Sequence, residues 1–226
     1  MAAITLVIGN KTYSSWSLRA WLALKQTGQA FSEILVPLDQ PDTRARIREH
    51  SPSGKVPYLT HGPVKVWESL AIGEYLAEAF PVARLWPADA AVRAHARAVS
   101  NEMHAGFAEL RRNMPMDLSH SWPERNRAQH CEPDIRRVTE IWRDCRERFG
   151  KAGAHGPGDF LFGGFSMADA MYAPVTTRFT TYDHRLDPDS MRYIEAVAAL
   201  PAMREWVAAA KQEPWELTYE VFTRKP

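Results

Sequence analysis

Residues 4–28 read ITLVIGNKTYSSWSLRAWLALKQTG. Ile4 to Ile8 is a short, β-branched apolar run without alternation, the pattern of a strand buried on both faces. The polar loop Gly9-Asn10-Lys11-Thr12-Tyr13 leads into Ser14-Ser15-Trp16-Ser17, after which Leu18, Trp21, Leu22 and Lys25 recur at helical spacing. Serines ahead of an apolar helix are N-cap candidates, and Gly28 is a C-terminal stop. Phe31 to Pro37 reads as a second strand, so the chain opens with strand, helix, strand, the crossover that makes a parallel pair.

Working outward, Pro41 to His50 reads as a short exposed helix and Ser51-Pro52-Ser53-Gly54-Lys55 as a turn-rich loop. Val56-Pro57-Tyr58-Leu59 and Val64-Lys65-Val66-Trp67, joined at Gly62-Pro63, read as a β-hairpin with its proline at the strand entrance. Glu68-Ser69 opens a helix whose apolar face runs through Leu70, Ile72, Tyr75, Leu76 and Phe80, and Pro81 ends it. The order is βαβ-α-ββα, a small mixed four-stranded sheet. Beyond Trp86-Pro87 strand alternation stops. Helices are expected over Ala88 to Arg112, Pro133 to Phe149, Ser166 to Thr181, Met191 to Leu200 and Pro201 to Lys211. Strands followed by runs of helices point to an α/β domain at residues 1–82 and an all-helical domain at residues 88–226.

A formal net charge of +1 gives no general pull toward nucleic acid or an anionic membrane. The N-terminus lacks a basic leader and no apolar run approaches a bilayer span, so a cytoplasmic, soluble protein is expected. Cys131 and Cys145 are the only cysteines. Placed on one helix from Pro133, Cys145 lies roughly 18 Å along the axis, beyond the roughly 7 Å limit for a bridge, which favours two reduced thiols.

Three segments carry possible chemistry, and each has a plainer explanation. At Ser14-Ser15-Trp16-Ser17, hydroxyls and free N–H groups collect at the positive end of a helix, a place that stabilises a thiolate; equally, one serine caps the helix and the others face solvent. Val56-Pro57 is a candidate cis peptide whose backbone could pair with an extended ligand, although most X–Pro bonds are trans. Glu68-Ser69 at a helix start could hold a carboxylate and an ammonium group, or simply cap the helix.

Taken in this order and spacing, the three segments resemble the glutathione transferase family. The resemblance implies a thioredoxin-like glutathione-binding domain followed by a helical domain, with Ser14 or Ser15 activating the glutathione thiolate and Ser14 ranked first. It implies that Lys55, Val56 and Pro57 hold the tripeptide backbone and that Glu68 and Ser69 hold its γ-glutamyl end. Tyr13 is a lesser contender for the thiolate. Gly164 to Asp169 looks like the family's capping box, with a structural role for Asp169 at the Ser166 N-cap. The active-site segment is closest to the zeta class, which includes maleylacetoacetate isomerase, but Trp16 stands where that class has cysteine.

The resemblance further implies glutathione as co-substrate, a small hydrophobic electrophile as second substrate and a homodimer; the histidines and carboxylates show no metal-ligand spacing such as His-Glu-x-x-His, so no metal is expected. Met103, His104, Phe107, Arg111 and Met114 could line the second site, although such a stripe is more often core. The alternatives are a glutathione-dependent cis–trans isomerase and a non-catalytic glutathione-binding or interaction module.

Overall fold

The computed structural model describes residues 2–219 and 222. Strands β1 (Ile4–Ile8), β2 (Ser32–Leu35), β3 (Tyr58–His61) and β4 (Val64–Trp67) form one sheet in the order β2-β1-β3-β4. β1 runs parallel to β2, with Thr5 opposite Ser32, and antiparallel to β3, with Leu6 opposite Leu59. Its interior position explains the unbroken apolar run. Leu6 and Ile8 enter the main core while Val7, on the opposite face, joins Val36, Ile47 and Tyr58 in a smaller one.

Helix α1 (Ser15–Gln26) links β1 to β2 and stops at Thr27, before Gly28 takes the left-handed conformation at φ 69°. A short α2 (Thr43–Arg48) follows β2, and α3 (Ser69–Ala79) follows β4. The helical half comprises α4 (Ala90–Ala105), α5 (Ala108–Asn113), α6 (Glu132–Cys145), α7 (Met167–Thr181), α8 (Pro188–Ala199) and α9 (Pro201–Ala210). α1 packs on both α3 and α7, which is why nearly all its residues are buried and it carries little amphipathic pattern. The main core is therefore continuous across the two halves of the chain.

One expected helix is broken. The stretch read as a single helix over 88–112 divides at Gly106, which is extended, and Phe107, whose φ is 62°. The Asp134 carboxylate from α6 accepts the Leu110 N–H at 2.9 Å and supplies the cap of the second piece, a long-range contact that no local pattern announces. The break folds Arg111 back on the end of α4, where its guanidinium donates to the Met103 and Gly106 carbonyls.

Cys131 and Cys145 are free and buried. Burial pushes their thiols up to about 11 and about 12, so neither is a nucleophile at neutral pH. No helix among the described residues is long and apolar enough to cross a membrane.

Candidate active site

Ser14 occupies the N-cap of α1, where its Oγ accepts the Ser17 N–H at 3.3 Å and donates to Ser17 Oγ at 2.8 Å. Ser17 Oγ in turn accepts the Gly9 N–H at 3.0 Å. A hydrogen-bonded line thus runs from the end of β1 through Ser17 to Ser14. Ser15, one residue further, is also buried, and among the described residues its hydroxyl has no hydrogen-bond partner. Tyr13 is already committed: its hydroxyl donates to the Trp215 carbonyl at 3.0 Å, and burial raises its pKa, so it is poorly placed to serve a thiolate.

Two adjoining cavities meet at α1. One, about 460 Å³, is bordered by Ser14, Ser15, Arg111 and Arg178; the other, about 520 Å³, by Pro57, Glu68, Ser69 and His104. Trp16, Lys55 and Val56 border both. The structure therefore brings together the serine, glutathione-backbone and γ-glutamyl candidates, with His104 beside them: Ser14, Ser15, Lys55, Val56, Pro57, Glu68, Ser69 and His104. The Val56–Pro57 bond is cis. Glu68 sits at φ 68° ahead of α3, and the hydroxyl of Ser69, fully buried at the helix start, has no partner among the described residues. An orphaned hydroxyl beside the free N–H groups of a helix N-terminus fits an incoming carboxylate. His104 faces the same cavity, with Nε2 3.7 Å from Glu68 and Nδ1 buried without a partner. Burial holds its pKa below the ordinary histidine value, with Arg19 and Arg111 adding to the effect against Glu68.

Other members of the anticipated second-site stripe lie elsewhere. Met103, Phe107 and Met114 are core residues, and only Arg111 of that group borders the serine cavity. In their place are residues that sequence patterning did not single out. Arg178 on α7 is buried and its pKa is lowered to about 10 by burial and by Arg111. Arg19 on α1 is wholly buried, donates Nε–H to the Met171 carbonyl at 2.9 Å, and leaves Nη1 and Nη2 without partners among the described residues. Its pKa is lowered well below the ordinary value by burial and then by Arg111 and Arg178. A lone arginine on a helix carries no sequence signal of such a cluster.

The C-terminal segment completes the wall. Glu213 accepts the Lys11 N–H at 2.7 Å and the Thr12 N–H at 3.0 Å, and Trp206 donates its indole N–H to the Lys11 carbonyl at 2.9 Å. These contacts fix the loop that aims Ser14, and Leu217 and Tyr219 then border the serine cavity. A larger cavity of about 560 Å³ lies between α7, α8 and α9, and none of the candidate residues borders it. Away from both, His95, Asp144 and Cys145 offer ligand atoms within 4.8 Å of one another, but Arg148 pairs with Asp144 and the Cys145 thiol stays protonated.

A mixed four-stranded sheet with a serine-capped helix after its first strand, a cis Val-Pro and a Glu-Ser helix start make a thioredoxin-like fold with an appended helical region. Residues 13–79 match the glutathione S-transferase N-terminal domain family and residues 93–209 the glutathione S-transferase C-terminal domain family. The chain belongs to the glutathione S-transferase family. It is 39% identical over 97 residues to a probable maleylacetoacetate isomerase of Caenorhabditis elegans, a stretch that covers 42% of this chain and 44% of that protein. A glutathione transferase homologue from Burkholderia, solved with bound glutathione, superimposes with a TM-score of 0.68 at 25% identity, covering 94% of this chain and 100% of that one. A bacterial zeta-class maleyl pyruvate isomerase superimposes with a TM-score of 0.70 at 22% identity, covering 93% and 99% of the two chains, a likeness of fold.

Proposed function

We propose that this protein is a glutathione transferase that joins the glutathione sulfur to a small electrophile bearing a carboxylate. In this reading residues 1–82 hold the tripeptide: Ser69 and Glu68 the γ-glutamyl end, Val56, Pro57 and Lys55 the backbone, Ser14 with Ser15 the sulfur. Residues 88–226 supply the walls around the electrophile, with His104 at the Glu68 side. The thiol loses its proton to solvent and its sulfur bonds to the electrophilic carbon. The electron pair displaced there leaves with the leaving group, or stays on the product when a double bond is attacked. The helix N-terminus and the arginines stabilise the thiolate.

The observation that carries the reading is the charge of the serine cavity. Arg111 and Arg178 border it and Arg19 lies close behind, and none of the three forms an ion pair among the described residues. Buried guanidinium groups without carboxylates are costly, and an anionic ligand offsets that cost. The hydrophobic electrophile implied by the family resemblance gives way to one with a negative group. The same cavity suits a glutathione-dependent cis–trans isomerase of an unsaturated acid, and the nematode relative is named a probable maleylacetoacetate isomerase. Arg111→Ala is expected to raise KM about tenfold for a carboxylate-bearing electrophile and to leave that of its methyl ester unchanged. Equal effects on acid and ester in steady-state kinetics would return the neutral electrophile to first place.

A cytoplasmic homodimer is part of the proposal. Val64 and Trp67 on β4, and Val82 after α3, are exposed at 36, 43 and 93%, apolar side chains that a second copy would cover. Light scattering of the wild type is expected to give twice the 25.6 kDa chain mass, and Trp67→Glu a shift toward the monomer. A wild-type monomer would remove the dimer from the reading.

A further inference from the structure

We infer that Trp16 is a positioning residue that holds the Arg111 guanidinium against the electrophile cavity and so sets the preference for carboxylate-bearing substrates. The inference rests on the anionic-electrophile reading above and assigns its selectivity to a side chain with no charge of its own. Trp16 lies in the first turn of α1, part-exposed, and its indole is shared by both cavities. The Arg111 guanidinium carbon lies 4.6 Å from the centre of the indole ring, and that of Arg19 4.3 Å. His104 meets the same ring edge-on, with centroids 5.2 Å apart and planes at 67°.

These contacts take the place of carboxylates. Arg111 has two nitrogens committed to the Met103 and Gly106 carbonyls, while its Nη1 is buried without a partner. Arg19 likewise has two unpartnered nitrogens. A guanidinium within about 6 Å of an indole face is attracted by the ring quadrupole, most strongly where water is excluded. The indole therefore holds cationic groups in place without neutralising them. A carboxylate in their position would hold the arginines equally well and cancel the charge that an anionic substrate needs. Without an aromatic face at position 16, Arg111 keeps only its two carbonyl bonds, and the wall between the cavities is lost.

The test compares 4-chloro-3-nitrobenzoate with its methyl ester at saturating glutathione. In each, the thiol sulfur displaces chloride from the ring, chloride leaves with the bonding pair and the thiol proton passes to solvent. Each kcat/KM is divided by the uncatalysed rate, so the ratio reports the carboxylate alone. Wild type is expected to favour the acid, Trp16→Leu to lose that preference about tenfold, and Trp16→Phe, which keeps an aromatic face, to retain most of it. A purely structural role would lower acid and ester in proportion, and that result overturns the inference. So does a Trp16→Leu variant whose ratio is unchanged. A wild type with no preference for the acid overturns the anionic-electrophile reading itself and the inference with it. Should Trp16→Leu not fold, Trp16→Met against Trp16→Phe gives the same comparison of an apolar with an aromatic side chain.

Discussion

Replacing Ser14 with alanine is expected to raise the pKa of the thiol of bound glutathione and to lower kcat/KM about 100-fold, the scale of losing one preorganised donor to a developing or resident anion. The hydroxyl of Ser14 is the end of a short chain in which the Gly9 N–H donates to Ser17 Oγ and Ser17 Oγ contacts Ser14 Oγ at 2.8 Å. Hydroxyl protons rotate. Here Ser14 donates to Ser17; with a thiolate in place, rotation of both hydroxyls lets Ser17 donate to Ser14 and turns the Ser14 proton, polarised by the bonds behind it, to the sulfur. Ser15 has no such support, and Ser15→Ala is expected to cost less than about tenfold. Because Ser14 also caps α1, alanine removes about 1 kcal/mol of helix stability as well. Ser14→Asn keeps a cap acceptor but not the hydroxyl, and it separates the two losses. The measurement is ultraviolet thiolate absorbance of the binary complex titrated across pH, with glutathione affinity alongside. A larger shift in Ser15→Ala transfers the role to Ser15. Glutathione that binds with an unshifted thiol in every variant, wild type included, would make the protein a binding module rather than an enzyme.

What the sequence disclosed and what it withheld divide along the range of the interactions. Val64–Trp67 and the βαβ opening were legible because strand length, Gly62-Pro63 and the serine start act within a few residues. The glutathione side of the site was legible for the same reason: Val56-Pro57 and Glu68-Ser69 each combine a backbone requirement with a side chain in one short segment. The electrophile side was not. Arg19, Arg111 and Arg178 come from α1, α5 and α7, and their convergence depends on α1 packing against α7 and on a helix break capped from α6 by Asp134. Met103 and Met114 had the spacing expected of a pocket wall, yet that break turns them into the core and leaves Arg111 at the cavity. Trp16 was visible as a departure from the zeta-class pattern; that its ring lies beside two guanidinium groups was not.

Asp169→Ala is expected to lower the stability of the whole protein by about 3 kcal/mol at pH 7. Its carboxylate, completely buried, accepts the Ser166 N–H and Ser166 hydroxyl, both at 2.8 Å, and the Leu161 N–H at 3.0 Å. Alanine strands three buried donors at the start of α7, the helix that packs on α1, so the damage reaches the mouth of the site. The same residue gives stability a pH dependence of definite sign. Burial raises the Asp169 pKa from 3.8 to about 6, against the lowering effect of its hydrogen bonds. A folded pKa above the unfolded one means that the folded state binds the proton more tightly. The resulting stabilisation is complete below the unfolded value and is lost as pH rises through about 6. Wild type is therefore expected to gain resistance to urea on acidification from pH 7 to 5 relative to Asp169→Asn, which has no proton to bind. Parallel midpoints for the two proteins across that range would show that the carboxyl does not titrate in the folded state, and its charge would then have to be carried by the three donors alone.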